Sequence, residues 1–249
     1  MNSYWLPASM LFQRELLRFW RERSRVAGFA LTPVVFWLVV GSGYSDFSRF
    51  LPGALVLTVM FSAIFSAMSL IEDRKEGFLL CVLASPAPRL SVVVGKVAGG
   101  SLIAAVQGIL FVLVATLGGT LYPNANLAVL AGLFLLIAIA FTAAGFLIAW
   151  LIPSPQGFHA VINLIFVPLW MVSGAIFSLG QATAWIRWVM LVNPVTYANE
   201  AISWGLGNFV SEGHPISMLA ALVVVLLSAI AMVVAASVVI NRPTEKSLS

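Results

Sequence analysis

Residues 72–96 read EDRKEGFLLCVLASPAPRLSVVVGK, the one dense run of charge between an arginine-rich N-terminal tail and the last eight residues of an otherwise hydrocarbon-like chain. Glu72, Asp73, Arg74, Lys75 and Glu76 come first, then Gly77, an apolar turn, Ser85 and Pro86, and the cations Arg89 and Lys96. Ionised side chains are expensive inside a bilayer, so this island marks a place where the chain meets water. It reads as a short helix offered to a soluble partner.

Working outward, 61% of the 249 residues are hydrophobic and 9% charged, with a mean hydropathy of +1.04. Soluble domains carry roughly 25% charge, so the composition is that of an integral membrane protein. Six apolar stretches are long enough to cross, at about 26–44, 50–71, 90–118, 127–151, 158–180 and 216–240. In lipid the backbone must satisfy its own hydrogen bonds, and these runs lack the alternation of a membrane barrel. The expected fold is therefore all-α, with six transmembrane helices in a single membrane domain over 1–249. The first apolar run is expected to be retained as a span, because no small-residue cleavage site follows it.

The cations set the orientation. Arg14, Arg18, Arg21, Arg23 and Arg25 precede the first run, Arg74, Lys75, Arg89 and Lys96 lie in or beside the island, and Arg242 and Lys246 lie in the tail. Six spans place all of these on one side and leave Arg49 and Arg187 on the other, so both termini and the island are expected in the cytoplasm. A net charge of +4 is explained by this bias and implies no nucleic-acid partner.

Within the N-terminal segment 1–25, Arg14, Arg18, Arg21 and Arg25 recur at helical spacing over 13–25, with Leu16, Leu17, Phe19 and Trp20 supplying apolar surface. That pattern predicts an amphipathic helix in the membrane interface, its guanidinium groups near anionic headgroups. At the other end, residues 181–215 are too polar for a clean span and too apolar for a solvated loop. Trp185, Trp188, Asn193, Pro194, Tyr197 and Glu200 predict short re-entrant helices on the outer side, their aromatic rings at headgroup depth. Ser62, Ser66 and Ser69 form a small-residue face on the second span, and Gly95 and Gly99 do so on the third. Close helix packing accounts for both better than a polar path.

Catalytic chemistry is not expected of this chain. The two histidines, His159 and His214, are expected on opposite sides of the membrane, and the single Cys81 excludes an internal disulfide and any cysteine-based metal cluster. Gly95 and Lys96 are followed by Val97 and lack the upstream glycine of a phosphate-binding loop. No cofactor is expected here, so any ATP and Mg would be bound by a partner subunit.

The island resembles the cytosolic segment of permease subunits in the type 2 export family of ABC transporters. Asp73-Arg74-Lys75-Glu76-Gly77 stands for the acidic-basic-glycine motif, with Lys75 where the family often has Glu. A Leu-rich turn over 79–83, then Ser85-Pro86-Ala87-Pro88-Arg89 and Gly95-Lys96, follow in the family's order. A second similar block holds Pro168-Leu169, Ser173-Gly174-Ala175-Ile176-Phe177, Trp185 to Trp188, and Asn193-Pro194-Val195-Thr196-Tyr197 with Glu200.

The resemblance implies a permease, not an enzyme, in a bacterial inner membrane. Residues 72–90 would act as a coupling segment in which Glu72, Asp73, Arg74, Lys75, Glu76, Gly77 and Arg89 meet a separate ATPase. Two such ATPases and a second permease, either an identical copy in a homodimer or a similar chain in a heterodimer, are the expected partners amid membrane lipids. Phe166, Trp170, Met171 and Phe177 would line an apolar path, which suits an amphipathic drug-like or lipid-like cargo. A polysaccharide exporter and a non-transporting membrane scaffold remain alternatives at this point.

Overall fold

Hydrocarbon offers no hydrogen bonds and the backbone must satisfy its own, which leaves the helix as the local solution almost everywhere. The computed structural model describes residues 5–43, 47–176, 179–180, 182–207 and 216–241, with side chains described throughout except at 23–27, 29, 30, 32, 47 and 48. Every regular element among the described residues is helical. In chain order these are α1 (Trp5–Arg21), α2 (Arg23–Gly41), a 3-10 turn (Phe47–Phe50), α3 (Leu51–Ser66), α4 (Met68–Lys75), α5 (Phe78–Ala84), α6 (Arg89–Leu117) and α7 (Leu127–Leu151). They continue with α8 (Pro155–Trp170), a π turn (Met171–Ala175), α9 (Ala184–Val192), α10 (Pro194–Gly205) and α11 (Met218–Asn241).

Five helical units are long and apolar enough to cross a membrane: the bent α3–α4 rod over Leu51–Lys75, α6, α7, Pro155–Ala175 and α11. The first expected span is helical as α2, over 19 residues with Pro33 inside, but it is not among the five. The expectation of six is thus one more than the described residues support.

The start signals are legible. The Asn126 side chain accepts from the amides of Ala128 and Val129 at 3.1 Å each and opens α7, while Ser154 accepts from Gly157 at 3.2 Å and opens α8 with Pro155 as its first residue. The expected 158–180 run ends earlier than its hydropathy suggested. Pro168 removes a backbone donor, the helix passes into the π turn after Trp170, and Gly174 leaves it at φ 92°.

The core is built on α3, which is buried along nearly its whole length between α6 and α7. Glycines set those distances. A Cβ at Gly145 of α7 would lie 2.8 Å from the Ile64 carbonyl oxygen, and one at Gly100 of α6 would meet Ser66 Oγ and the Thr142 methyl. Ser62, Ser66 and Ser69 are all buried, so the small-residue face is packed against neighbouring helices, as in other membrane bundles. Trp170 closes the far end by donating from Nε1 to the Gly53 carbonyl at 2.9 Å, tying α8 to the start of α3.

Candidate functional site

The charged island folds into an elbow at one end of the bundle. α3 bends at Ala67 into α4, which carries Glu72 to Lys75, and the chain then reverses at Gly77, whose φ of 76° is the left-handed region that glycine enters without steric penalty. α5 follows, and Ser85 to Pro88 leads into α6.

Asp73 is fully buried and is the hub of an ionic clamp. Arg14 approaches it with two guanidinium nitrogens, at 2.7 and 2.9 Å, Arg18 at 2.8 Å, and Lys96 at 2.6 Å. Lys96, also buried, holds Glu15 at 2.5 Å and donates to Ser69 at 3.1 Å. Arg18 further pairs with Glu72 at 2.9 Å and reaches the exposed Glu76 at 3.3 Å. Burial works against the Arg18 charge, but the carboxylates of Glu72 and Asp73 outweigh it and hold its pKa above the ordinary value. Arg18 therefore stays cationic across the physiological range. The Arg14 guanidinium also lies 3.8 Å over the Phe78 ring, reaching from α1 to the start of α5.

Three elements are thus bolted together: α1 through Arg14, Glu15 and Arg18, the elbow through Asp73, and α6 through Lys96. Two more ties run from the same region. Arg74 donates to the Trp150 carbonyl at the end of α7 at 3.0 Å, and Arg89 donates to the Ile240 carbonyl at the end of α11 at 3.3 Å. Gly95 and Gly99 explain how α1 gets so close to α6. A Cβ at Gly95 would lie 2.7 Å from the Ala8 carbonyl oxygen, and one at Gly99 would lie 2.8 Å from Glu15 Cβ.

Of the residues expected to meet a partner, Asp73 faces inward, Glu72, Arg74 and Gly77 are half-buried, and Lys75, Glu76 and Arg89 are exposed. The arginine stripe is divided. α1 runs over Trp5–Arg21, not 13–25, and the chain breaks at Glu22 (φ −87°, ψ 72°). Arg25 therefore belongs to α2, its side chain outside the described residues, while Arg14 and Arg18 turn to carboxylates and Arg21 is exposed. Glu15 was missed by sequence reasoning, although it shares the face of Ala8 and Leu11, the buried side of α1. An acid on that face demands a buried cation, and Lys96, lodged between Gly95 and Val97, supplies it.

At the opposite end, Asn193 is buried, donates to the Leu169 carbonyl at 2.6 Å and accepts from the Val195 amide at 3.0 Å. Pro194 begins α10, Tyr197 donates to the Leu191 carbonyl at 2.7 Å, and Glu200 is half-buried. Trp185 and Trp188 point out, 70% and 71% exposed. Replacing Asn193 with Ala removes a helix cap and leaves the Leu169 carbonyl without this donor. Caps are worth about 1 to 2 kcal/mol, so a lowered Tm with unchanged folding yield is the expected result of a thermal melt in detergent. Along α8, Phe166 packs edge-on against Phe141 and Trp170 sits in the core, whereas Met171 is exposed. Phe177 lies outside the described residues.

Residues 8–207, the stretch that holds most of α1, the elbow and the α9–α10 block, match the ABC-2 type transporter family. The chain belongs to that family. This ABC-2 permease is 25% identical over 214 residues to "Putative transport permease ycf38" of Porphyra purpurea, covering 80% of this chain and 73% of the other. It is 30% identical over 155 residues to the protein of the same name from Cyanophora paradoxa, covering 61% and 53%. A third of that name, from Pyropia yezoensis, is 23% identical over 205 residues, covering 76% and 70%. Together with its apolar helices, family membership makes this ABC-2 chain a multi-pass membrane protein and a transport permease.

Proposed function

We propose that this permease is the membrane half of an ATP-driven exporter, and that a separate ATP-hydrolysing subunit docks on the α4–α5 elbow. The observation that carries this reading is the elbow's two-sidedness. Its inner side is fixed through Asp73 to α1 and α6, while its outer side offers Lys75, Glu76, Leu80, Cys81 and Ser85 to solvent. A partner that moves the exposed side moves the clamp with it, because tightly packed, ion-paired elements shift as units.

In this reading ATP and Mg belong to the partner, two permease copies pair with two ATPases, and α2 supplies a sixth crossing. Both termini and the elbow lie on the cytosolic side of a bacterial inner membrane, and α9 and α10 dip into the outer leaflet. Phe166 and Trp170 brace the bundle, so the exposed Leu164 and Met171 of the same segment would form the apolar wall of a path completed by the second copy. Such a wall suits an amphipathic drug-like or lipid-like cargo, since it has few partners to replace the hydration of an ion or sugar.

Cys81 is the sole cysteine and is exposed, which makes it a reporter of docking. With the ATPase co-expressed in vesicles, maleimide labelling of Cys81 is expected to slow. Reversing the neighbouring charges, Lys75→Glu with Glu76→Lys, is expected to reduce ATP-dependent transport about three- to tenfold. Unchanged labelling together with unchanged coupling would remove the elbow as the docking site.

A further inference from the structure

The space between α1 and α6 carries a second assignment. An open groove of about 510 Å³ runs beside the clamp, lined among others by Trp5, Leu6 and Phe12 of α1 and by Val94, Gly95 and Ala98 of α6. Its wall is almost wholly apolar. α1 is drawn onto α6 at Gly95 and Gly99, and the groove lies beside that line of close contact.

The face of α1 that borders this groove is defined by its opposite. At about 100° per residue, Arg14, Arg18 and Arg21 fall on one flank of α1, and they meet the elbow carboxylates or water. Trp5 and Phe12 fall roughly half a turn away. An interfacial helix turns its cationic flank to water and its apolar flank to acyl chains, so the groove opens toward hydrocarbon. Val94 and Ala98 lead to the same conclusion from the other wall. They are exposed and continue the outward row of Leu90, Leu102 and Val106 along a helix long and apolar enough to cross the membrane. Lipid that covers that row is continuous with the groove.

We propose that this groove holds one acyl chain of a membrane phospholipid, seated between α1 and α6 as an integral filler of the clamp. Its volume lies within the roughly 300 to 1,000 Å³ of clefts that enclose apolar ligands. No cation lines it among the described residues, so the proposed site selects for the chain and not for the headgroup. The chain in the groove touches Gly95, next to Lys96 in sequence, and Phe12, one helical turn before Glu15, and therefore supports the clamp from its membrane side. The inference rests on the membrane location of the chain and is independent of the ATPase reading.

Photolabelling of the intact protein in nanodiscs, with phosphatidylcholine carrying a diazirine in one acyl chain, tests this. Adducts are expected on the peptides holding Trp5 to Phe12 and Val94 to Ala98, above those on the lipid-facing Leu226 and Ile230 of α11. Ala98→Trp fills the groove and is expected to abolish the excess there while leaving α11 labelling unchanged. Ala98→Leu, a smaller step, serves if the tryptophan variant does not fold, and is expected to reduce the excess. Labelling no greater than on α11, or an excess that survives both substitutions, would overturn the proposal. So would crosslinks placing residues 1–4 or a second copy of the chain in the groove.

Discussion

Replacing Asp73 with Asn is expected to produce the largest loss of stability of any single change in the clamp, about 3 to 5 kcal/mol. The substitution keeps the shape and removes the charge. Arg14 loses both of its close carboxylate contacts, Arg18 loses the nearest of its four, and Lys96 keeps Glu15 and the Ser69 hydroxyl. Removing one member of a buried ionic group leaves the others desolvated without compensation, which is why the penalty far exceeds that of a surface pair. Glu76→Gln is the matched control. Its side chain is 58% exposed and 3.3 Å from Arg18, and surface pairs contribute from nothing to about 1 kcal/mol.

The sign can be checked through Lys96. In Asp73→Asn with Glu15→Gln, the Lys96 ammonium is buried with neutral acceptors alone, the Ser69 hydroxyl and the amide oxygens of the two new side chains, and has lost both close carboxylates. Adding Lys96→Met to that double variant is expected to raise the Tm again, because an unpaired buried charge is replaced by an apolar group of similar length. Thermal melts monitored by size exclusion read all four proteins. If the triple variant melts no higher than the double, charge is not what the clamp stores.

Much of this was legible in the sequence because lipid leaves few options. The apolar runs predicted helices at α3, α6, α7, α8 and α11, and the charge island predicted the elbow between α4 and α5. What did not follow was the direction in which the charges point. Hydropathy treats Glu72 to Glu76 as one solvated block, yet Asp73 is fully buried and reaches both α1 and α6, whereas Lys75 and Glu76 stay exposed. Arg14 and Arg18 misled for the same reason: a cationic stripe fits lipid headgroups and buried carboxylates equally well. Glu15 on the buried face of α1 and Lys96 within an apolar run were the distinguishing signals, each a charge that needs a partner at that depth. The end of α8 was misplaced because Pro168 and the positive φ of Gly174 govern it, and hydropathy sees neither.

Gly95→Leu is expected to release α1 from the bundle without unfolding the spans. A Cβ there would collide with a backbone atom, the Ala8 carbonyl oxygen, and with Leu11 Cβ, both at 2.7 Å, so rotamer changes cannot relieve it. Overpacking of this kind costs about 1 to 3 kcal/mol. The strain falls on α1 because α6 is held on its other sides by α3 and α7, whereas α1 packs chiefly on α6. A penalty of that size makes an undocked α1 roughly five- to 150-fold more populated. Trypsin reads this directly, since cleavage after Arg14 and Arg18 requires them to leave Asp73. Those two sites are expected to be cut faster by a similar factor while α6 and α7 remain intact. Gly132→Leu, at a position on α7 where an added Cβ meets nothing within 4 Å, is expected to leave the pattern unchanged. Gly95→Ala, which adds the colliding atom alone, is expected to fall between the two. Were Gly95→Leu digested like the parent, α1 would be held by its ion pairs alone, and its close seat on α6 would not matter to the clamp.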